Sequence, residues 1–336
     1  MFRMSVAAAC CLLAVFSPEP GGAGTAETRP LLVLERTIPL PGVSGRIDHM
    51  AVDLRRGRLF VAALGNGSVE VVDIASGKVV HRITGLKEPQ GVAYAPDSDL
   101  LAVASAGDGS VRLFHGEDCA AAGLVALGSD ADNVRLDGRT GRLLVGYGSG
   151  GLAVLDLATR SRVGDTKLPA HPEGFQFDPA TGRAYVNLPD ATQIAVVDVS
   201  AGRQVAEWPV PKGLRSNFPL ALDAARGVVA TVFRNPARLV LLDTRSGSAT
   251  ASLAVCGDAD DVFFDTVRRR IYVSCGEGFI DVFQGDANGY RPAARIPTRS
   301  GGRTSIYVPE LDLLIGAARA GLFGSNAALL VFRPAT

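Results

Sequence analysis

The strongest constraint on this chain is that it repeats itself. Apolar runs that read as first strands begin near His49, Gly91, Asn133, Gly174, Pro219, Asp261 and Thr304, at spacings of 42, 42, 41, 45, 42 and 43 residues. Each unit reads as a polar turn, an alternating strand, an Asp/Pro/Gly turn, a second strand, a small polar turn, a third strand often ending in Asp, and a fourth strand. The stretch from His171 to Val210 is the clearest copy, with four β-patterned runs separated by turn formers. Third strands such as Ser68-Val-Glu-Val-Val-Asp-Ile74 and Gln193-Ile-Ala-Val-Val-Asp-Val199 alternate as half-buried strands do. No stretch after the first 26 residues sustains a helical 3.6 period. Glycine, at 39 of 336 residues, stands well above the usual ~7%, as many tight turns between short strands require.

A period of this length is that of a propeller blade. A lone four-stranded blade exposes two apolar faces; stacking blades radially buries both, and a closed ring leaves no end face. The expected fold is therefore all-β, a seven-bladed β-propeller of four-stranded antiparallel blades occupying residues 27–336 as a single domain. Ring closure also accounts for the termini. Leu31 to Leu40 reads as a fourth strand without its first three, and Thr304 to Phe332 supplies three strands without a fourth, so the two ends are expected to complete the last blade together.

Residues 1–26 stand outside the repeats. Met1 to Arg3 form a small basic start, Ser5 to Phe16 an apolar run and Pro18 to Ala26 a small-residue stretch, the layout of a secretory signal peptide cleaved after Ala23 or Ala26. The apolar run is well short of the ~20 residues that span a bilayer. A periplasmic or secreted protein is expected, with no transmembrane segment in the mature chain. With 34 basic and 34 acidic residues, the chain lacks the positive excess of nucleic-acid binders and of polybasic membrane-surface proteins. Of the cysteines, Cys119, Cys256 and Cys275 remain after cleavage, without the spacing of a zinc finger or a haem attachment site. The hairpin after Asp261 brings Cys275 back opposite Asp260, within reach of Cys256, so Cys256 and Cys275 are expected to form a disulfide and Cys119 to stay free.

The repeats resemble those of the YVTN family of seven-bladed propellers, exported bacterial proteins of the YncE-like kind. Gly182-Arg-Ala-Tyr-Val-Asn187, Arg270-Ile-Tyr-Val-Ser274 and Arg58-Leu-Phe-Val-Ala62 stand where that family has its signature second strand, and Ala195-Val-Val-Asp-Val199 where it has its third. The resemblance covers residues 31–334 and implies fold and export; its motifs make strands and turns and carry no chemistry. The WD-repeat alternative lacks its markers, since Trp208 is the one tryptophan and no Gly-His to Trp-Asp pattern occurs.

In a propeller, ligands meet the face made by the loops leading into the first strands and by the loops joining second to third strands. The first set supplies Arg46, Asp48 and His49; Glu88 and Gln90; Asp130, Asp132 and Asn133; His171 and Glu173; Arg215 and Asn217; Asp258, Asp260 and Asp261; Arg303 and Thr304. The second supplies Asn66, Asp108, Tyr147, Asn187, Arg234, Glu277 and Arg319. Asp and Asn at such turns also cap the backbone, which is the competing account of the set. Ser129-Asp-Ala-Asp-Asn133 and Gly257-Asp-Ala-Asp-Asp261 nearly duplicate each other, and paired carboxylates of this kind suit a hard divalent cation. His49 and His171 occupy equivalent positions in blades one and four, on opposite sides of the pore, and are the candidate acid or base, or cofactor ligands.

The Gly-rich run Gly146-Tyr-Gly-Ser-Gly-Gly151 leads into no helix and so makes no phosphate cradle, and no G-x-S-x-G nucleophile motif occurs. The reading that follows is a binding scaffold offering a polar pore face to a small ligand or a protein, with its cofactor undetermined. The alternative is a metal-assisted lactonase or other hydrolase, by analogy with six-bladed lactonases. In it Glu173, Asn133, Asn217 and Asp261 hold the metal and His49 or His171 carries the proton. If the pore binds an anion instead, Arg46, Arg215, Arg234, Arg303 and Arg319 are expected to converge on it.

Overall fold

The computed structural model describes residue 1, residues 30–321 and residues 326–335. The signal sequence expected over residues 1–26 therefore lies, Met1 aside, outside the described residues. The remainder is seven four-stranded antiparallel sheets. Six are built from consecutive strands, and the seventh has the order that ring closure demands: Leu32–Pro39 pairs with the C-terminal strand Ala328–Pro334, which pairs in turn with Leu313–Ala318 and Ser305–Val308. Register runs from Leu32 opposite Pro334 to Pro39 opposite Ala328. Arg270 of blade six holds both ends of this seam, its Nη1 donating to the carbonyls of Ala335 (2.6 Å) and Leu31 (3.4 Å).

The core is divided as the repeat requires. Seven apolar clusters lie one at each junction between adjacent blades, including that between blades seven and one. The first strand of every blade is innermost, and consecutive first strands are neighbours around the whole ring. On the face away from the pore mouth, Asp residues ending the first strands cap the following turn: Asp53 Oδ1 accepts from Arg55 N (2.9 Å) and Asp178 Oδ1 from Ala180 N (2.9 Å). These turns also link blades. Arg56 grips Asp99 with two bonds of 2.8 and 2.9 Å, and Arg268 grips Asp312 with two of 2.8 and 2.7 Å, at equivalent places in blades one/two and six/seven.

Strand limits depart from the sequence reading in an orderly way. In blades two, three, five and six the first strand starts earlier than expected, at Pro89, Ala131, Arg215 and Ala259. In each case a β-bulge interrupts the pairing, and the ladder resumes beyond it: Pro89 with Ser105, Ala131 with Tyr147, Ala259 with Cys275, and in blade five Asn217 with Phe233 and Arg215 with Asn235. Cys275 thus faces Ala259 rather than Asp260, because Asp260 is the residue the bulge displaces. The disulfide joins Cys256 and Cys275, with 5.9 Å between Cα atoms, and Cys119 is a buried free thiol. Among the described residues the helices are two 3-10 turns of three residues each, and no helix is long and apolar enough to cross a membrane.

Candidate functional site

The bulges place the site. Just before each bulge stands a non-glycine residue in the left-handed region: Glu88 (φ 52°), Asp130 (42°), Ser216 (62°) and Asp258 (57°). In three of the four blades its carbonyl accepts from the loop after the second strand, as Asp130 O does from Gly148 N at 3.0 Å and Asp258 O from Gly276 N at 2.8 Å. The bulge then takes the next residues out of the ladder and leaves their side chains on the pore: Gln90 in blade two, Asp132 and Asn133 in blade three, Phe218 in blade five, Asp260 in blade six. The near-duplicate acidic motifs of blades three and six are thus one backbone device used twice. Their first Asp adopts the left-handed turn, the Ala is buried in the ladder, and the second Asp is bulged inward.

A cavity of about 310 Å³ opens at this mouth, and every blade contributes to its wall. Arg46, Gln90, Asp130 with Asp132, and His171 with Glu173 come from blades one to four. Phe218 with Arg234, Asp260 and Arg303 come from blades five to seven. A narrow neck of about 50 Å³ shares Arg46, Asp132, Glu173, Phe218 and Asp260 with it and adds Asn133, His49 and Asp261, together with Arg135, Gln176 and Phe263 further down the inner strands.

Electrostatics divide this wall into two halves. On the side of blades five to seven, cations and carboxylates are committed to each other. Arg234 donates to Asp260 and, at 2.8 Å, to Ala259 O, while stacking 4.0 Å from the ring centre of Phe218. Arg303 donates to Asp258 (2.9 and 3.2 Å) and sets its Nε 2.9 Å from Asp260. Burial pushes the Asp260 carboxyl up, and Arg303 and Arg234 counter it. The acidic loop of blade six is therefore clamped by arginines of both neighbouring blades.

Around His49 the contacts are ionic in distance but poorly aligned. Its Nδ1 lies 2.7 Å from Asp48 Oδ1, and Arg46 Nη2 lies 2.7 Å from Asp48 Oδ2, yet neither oxygen has a hydrogen bond of good geometry, so the attraction is Coulombic. Burial acts against both charges. The pair and its neighbours outweigh it, holding Asp48 below the usual carboxylate range and His49 up to about 9. Across the pore His171 is likewise held up to about 9: burial opposes the charge, while Asp132 (3.7 Å from Nε2), the Gly148 carbonyl (2.5 Å from Nδ1) and Asp130 favour it. Two carboxyls, unlike Asp48, are pushed up. Burial, with Asp132 adding repulsion, pushes Glu173 up to about 7, and burial pushes Asp261 up to about 7 although His49 opposes it.

Of the residues expected at the site, Arg46, His49, Asp132, Asn133, His171, Glu173, Asp260, Asp261, Arg303 and Arg234 meet at the cavity or its neck. Asp48 sits fully buried behind His49. Others are placed elsewhere. Arg215 is exposed at the outer end of its strand, and Arg319 is exposed beside Gly301, so the five arginines do not converge. Asn217 is wholly buried in a network, donating to Asn187 Oδ1 (2.9 Å) and Gln193 O (3.3 Å), while Asn187 donates to Phe218 O, Pro219 O and Thr231 Oγ1. Asn217 and Asn187 therefore fasten blade four to blade five, and the proposed metal set of Glu173, Asn133, Asn217 and Asp261 loses a member. Among the described residues no group of three or more His, Cys, Asp or Glu is gathered so as to hold a metal ion.

From the second-to-third loops only Arg234 reaches the cavity; Asn66, Asp108, Tyr147 and Glu277 bond locally, as Glu277 does to Gly257 N at 2.8 Å. Arg135, Gln176, Phe218 and Phe263 escaped the sequence reading because they lie on the first strands themselves. The available signal for Arg135 and Gln176 was a polar residue inside an apolar first strand.

No protein-family model and no curated protein matches this sequence. Among solved structures the chain is similar to the hydrazine synthase of Kuenenia stuttgartiensis, with a TM-score of 0.75 at 16% identity over 88% of this chain and 99% of that one. It is also similar to a chain of a mitotic checkpoint complex, with a TM-score of 0.77 at 14% identity over 96% and 98% of the two chains. At such identities the likeness establishes the architecture: this chain is built as a seven-bladed β-propeller.

Proposed function

We propose that this chain is an exported propeller of the YVTN type that serves as a binding scaffold, taking a small ligand or a protein segment into the polar cavity at its pore mouth. The observation that carries the reading is that one cavity collects a side chain from every blade. A purely structural turn needs only its own blade, whereas convergence of seven serves something placed on the axis. The buried disulfide agrees with an oxidising compartment, and the neutral net charge with a partner other than nucleic acid. The hydrolase reading is the weaker one, since Asn217 is spent on the junction of blades four and five. A thermal-shift screen of small metabolites tests the proposal: hits should raise the melting temperature of the wild type and lose that effect in Arg46→Ala/Phe218→Ala. Hits that stabilise both proteins equally would remove the pore mouth from the binding site.

A further inference from the structure

We propose that the ligand carries a primary ammonium group, seated between blades three and four on Asp132, Asn133 and Glu173. This rests on the reading of the pore mouth as the binding site and names the chemistry that site takes. Asp132 and Asn133 are 6% and 3% exposed and line the neck of the cavity, yet the Oδ1 atom of each has no hydrogen-bond partner. An unpaired buried acceptor costs about 1–3 kcal/mol, more when charged, so two side by side on a cavity wall call for a donor from outside the chain. The other oxygen of Asp132 faces His171 Nε2 at 3.7 Å. Glu173 lines the same neck, its carboxyl pushed up by burial, Asp132 and Asp260 against the pull of His171 and Arg234.

The unpaired buried acceptors of this wall are Asp132 Oδ1 and Asn133 Oδ1, while Arg135 further down the same strand donates through Nη1 to Val134 O at 2.8 Å. On the opposite wall the guanidinium groups of Arg234 and Arg303 are bound to Asp258 and Asp260. An ammonium group brings three donors on one atom and suits three acceptors at ordinary hydrogen-bond distance. A metal ion needs its oxygens drawn in to 2.0–2.6 Å, and no such gathering of carboxylates is present among the described residues. Below the polar ring the neck is lined by Leu220, Val262 and Phe263 together with Arg135 and Gln176.

The test titrates the full secreted protein with butylamine, glucosamine, sodium butyrate and calcium chloride, using calorimetry and amide chemical-shift mapping. Both amines should bind and shift amides of residues 131–134 and 173–176. Asp132→Asn should weaken butylamine binding at least about tenfold, the loss of a charge-assisted hydrogen bond. Glu173→Gln, at a half-buried position, should weaken it about threefold or more while the protein melts as cooperatively as the wild type, which guards against misfolding of the first variant. Pore shifts with butyrate alone, or with calcium alone, would leave the binding site standing and overturn the ammonium class. No pore shift with any of the four would overturn both.

Discussion

Glu173, His49 and His171 make the pore mouth a place where protonation is coupled to stability. A carboxyl raised by folding holds a proton that the unfolded chain has already released, so its contribution is full below its ordinary value of 4.5 and is lost as pH rises through about 7. The histidines act with the same sign over a higher window: full below their ordinary 6.5, lost as pH rises through about 9. Melting temperature is therefore expected to fall between pH 5 and pH 9. Glu173→Gln should flatten the lower part of that slope, by at most about 1.4 kcal/mol per pH unit for one proton, and leave the upper part unchanged. Superimposable curves for the two proteins would dismiss the coupling. A second residue-scale prediction concerns Gly91, where an added Cβ would lie 2.0 Å from the carbonyl oxygen of Asp132 in the next blade. Gly91→Ala should cost about 1–3 kcal/mol in chemical denaturation, because two inner strands must part. The same change at Gly316, with nothing within 4 Å, should be close to neutral, and equal costs at the two sites would refute the steric account.

At the scale of elements, the bulged first strand is the unit that turns a structural repeat into a site. Blades two, three, five and six carry it, and the residues it displaces supply much of the cavity wall, since an unpaired residue is free to aim its side chain off the sheet. The sequence showed these positions as polar lead-in turns, Asp-rich in blades three and six; it did not show the bulge, because the alternation of apolar residues resumes on the far side and hides the extra residue. The disulfide belongs to the same scale. It joins the loop before the blade-six bulge to the end of the second strand, across 19 residues, and so anchors the acidic loop that Arg234 and Arg303 clamp. Replacing both cysteines by serine should lower stability by about 3 kcal/mol on the chain-entropy account, read from the denaturant midpoint. A midpoint that does not move would show that the arginine clamp alone holds the loop.

For the whole molecule, the decisive element is the N-terminal strand Leu32–Pro39, which is the only piece of blade seven that comes from the other end of the chain. Removing residues 30–41 should expose the edge of Ala328–Pro334 and open the junction between blades seven and one, lowering the melting temperature sharply; a peptide of residues 30–41 added in trans should restore part of it. Unchanged melting of the truncated protein would contradict closure by strand exchange. Number of blades, order of strands, closure of the ring and the pairing of Cys256 with Cys275 were all determined by the sequence, because period, alternation and turn chemistry are local properties that each blade repeats. Which polar residues meet was decided by tertiary structure alone. Asn217 and Glu173 both read in the sequence as lead-ins to first strands, yet Asn217 is in the blade-five strand and fastens two blades while Glu173 faces the cavity. That choice depends on bulge register and on what the adjacent blade presents about 42 residues away, through-space relations that no single repeat encodes.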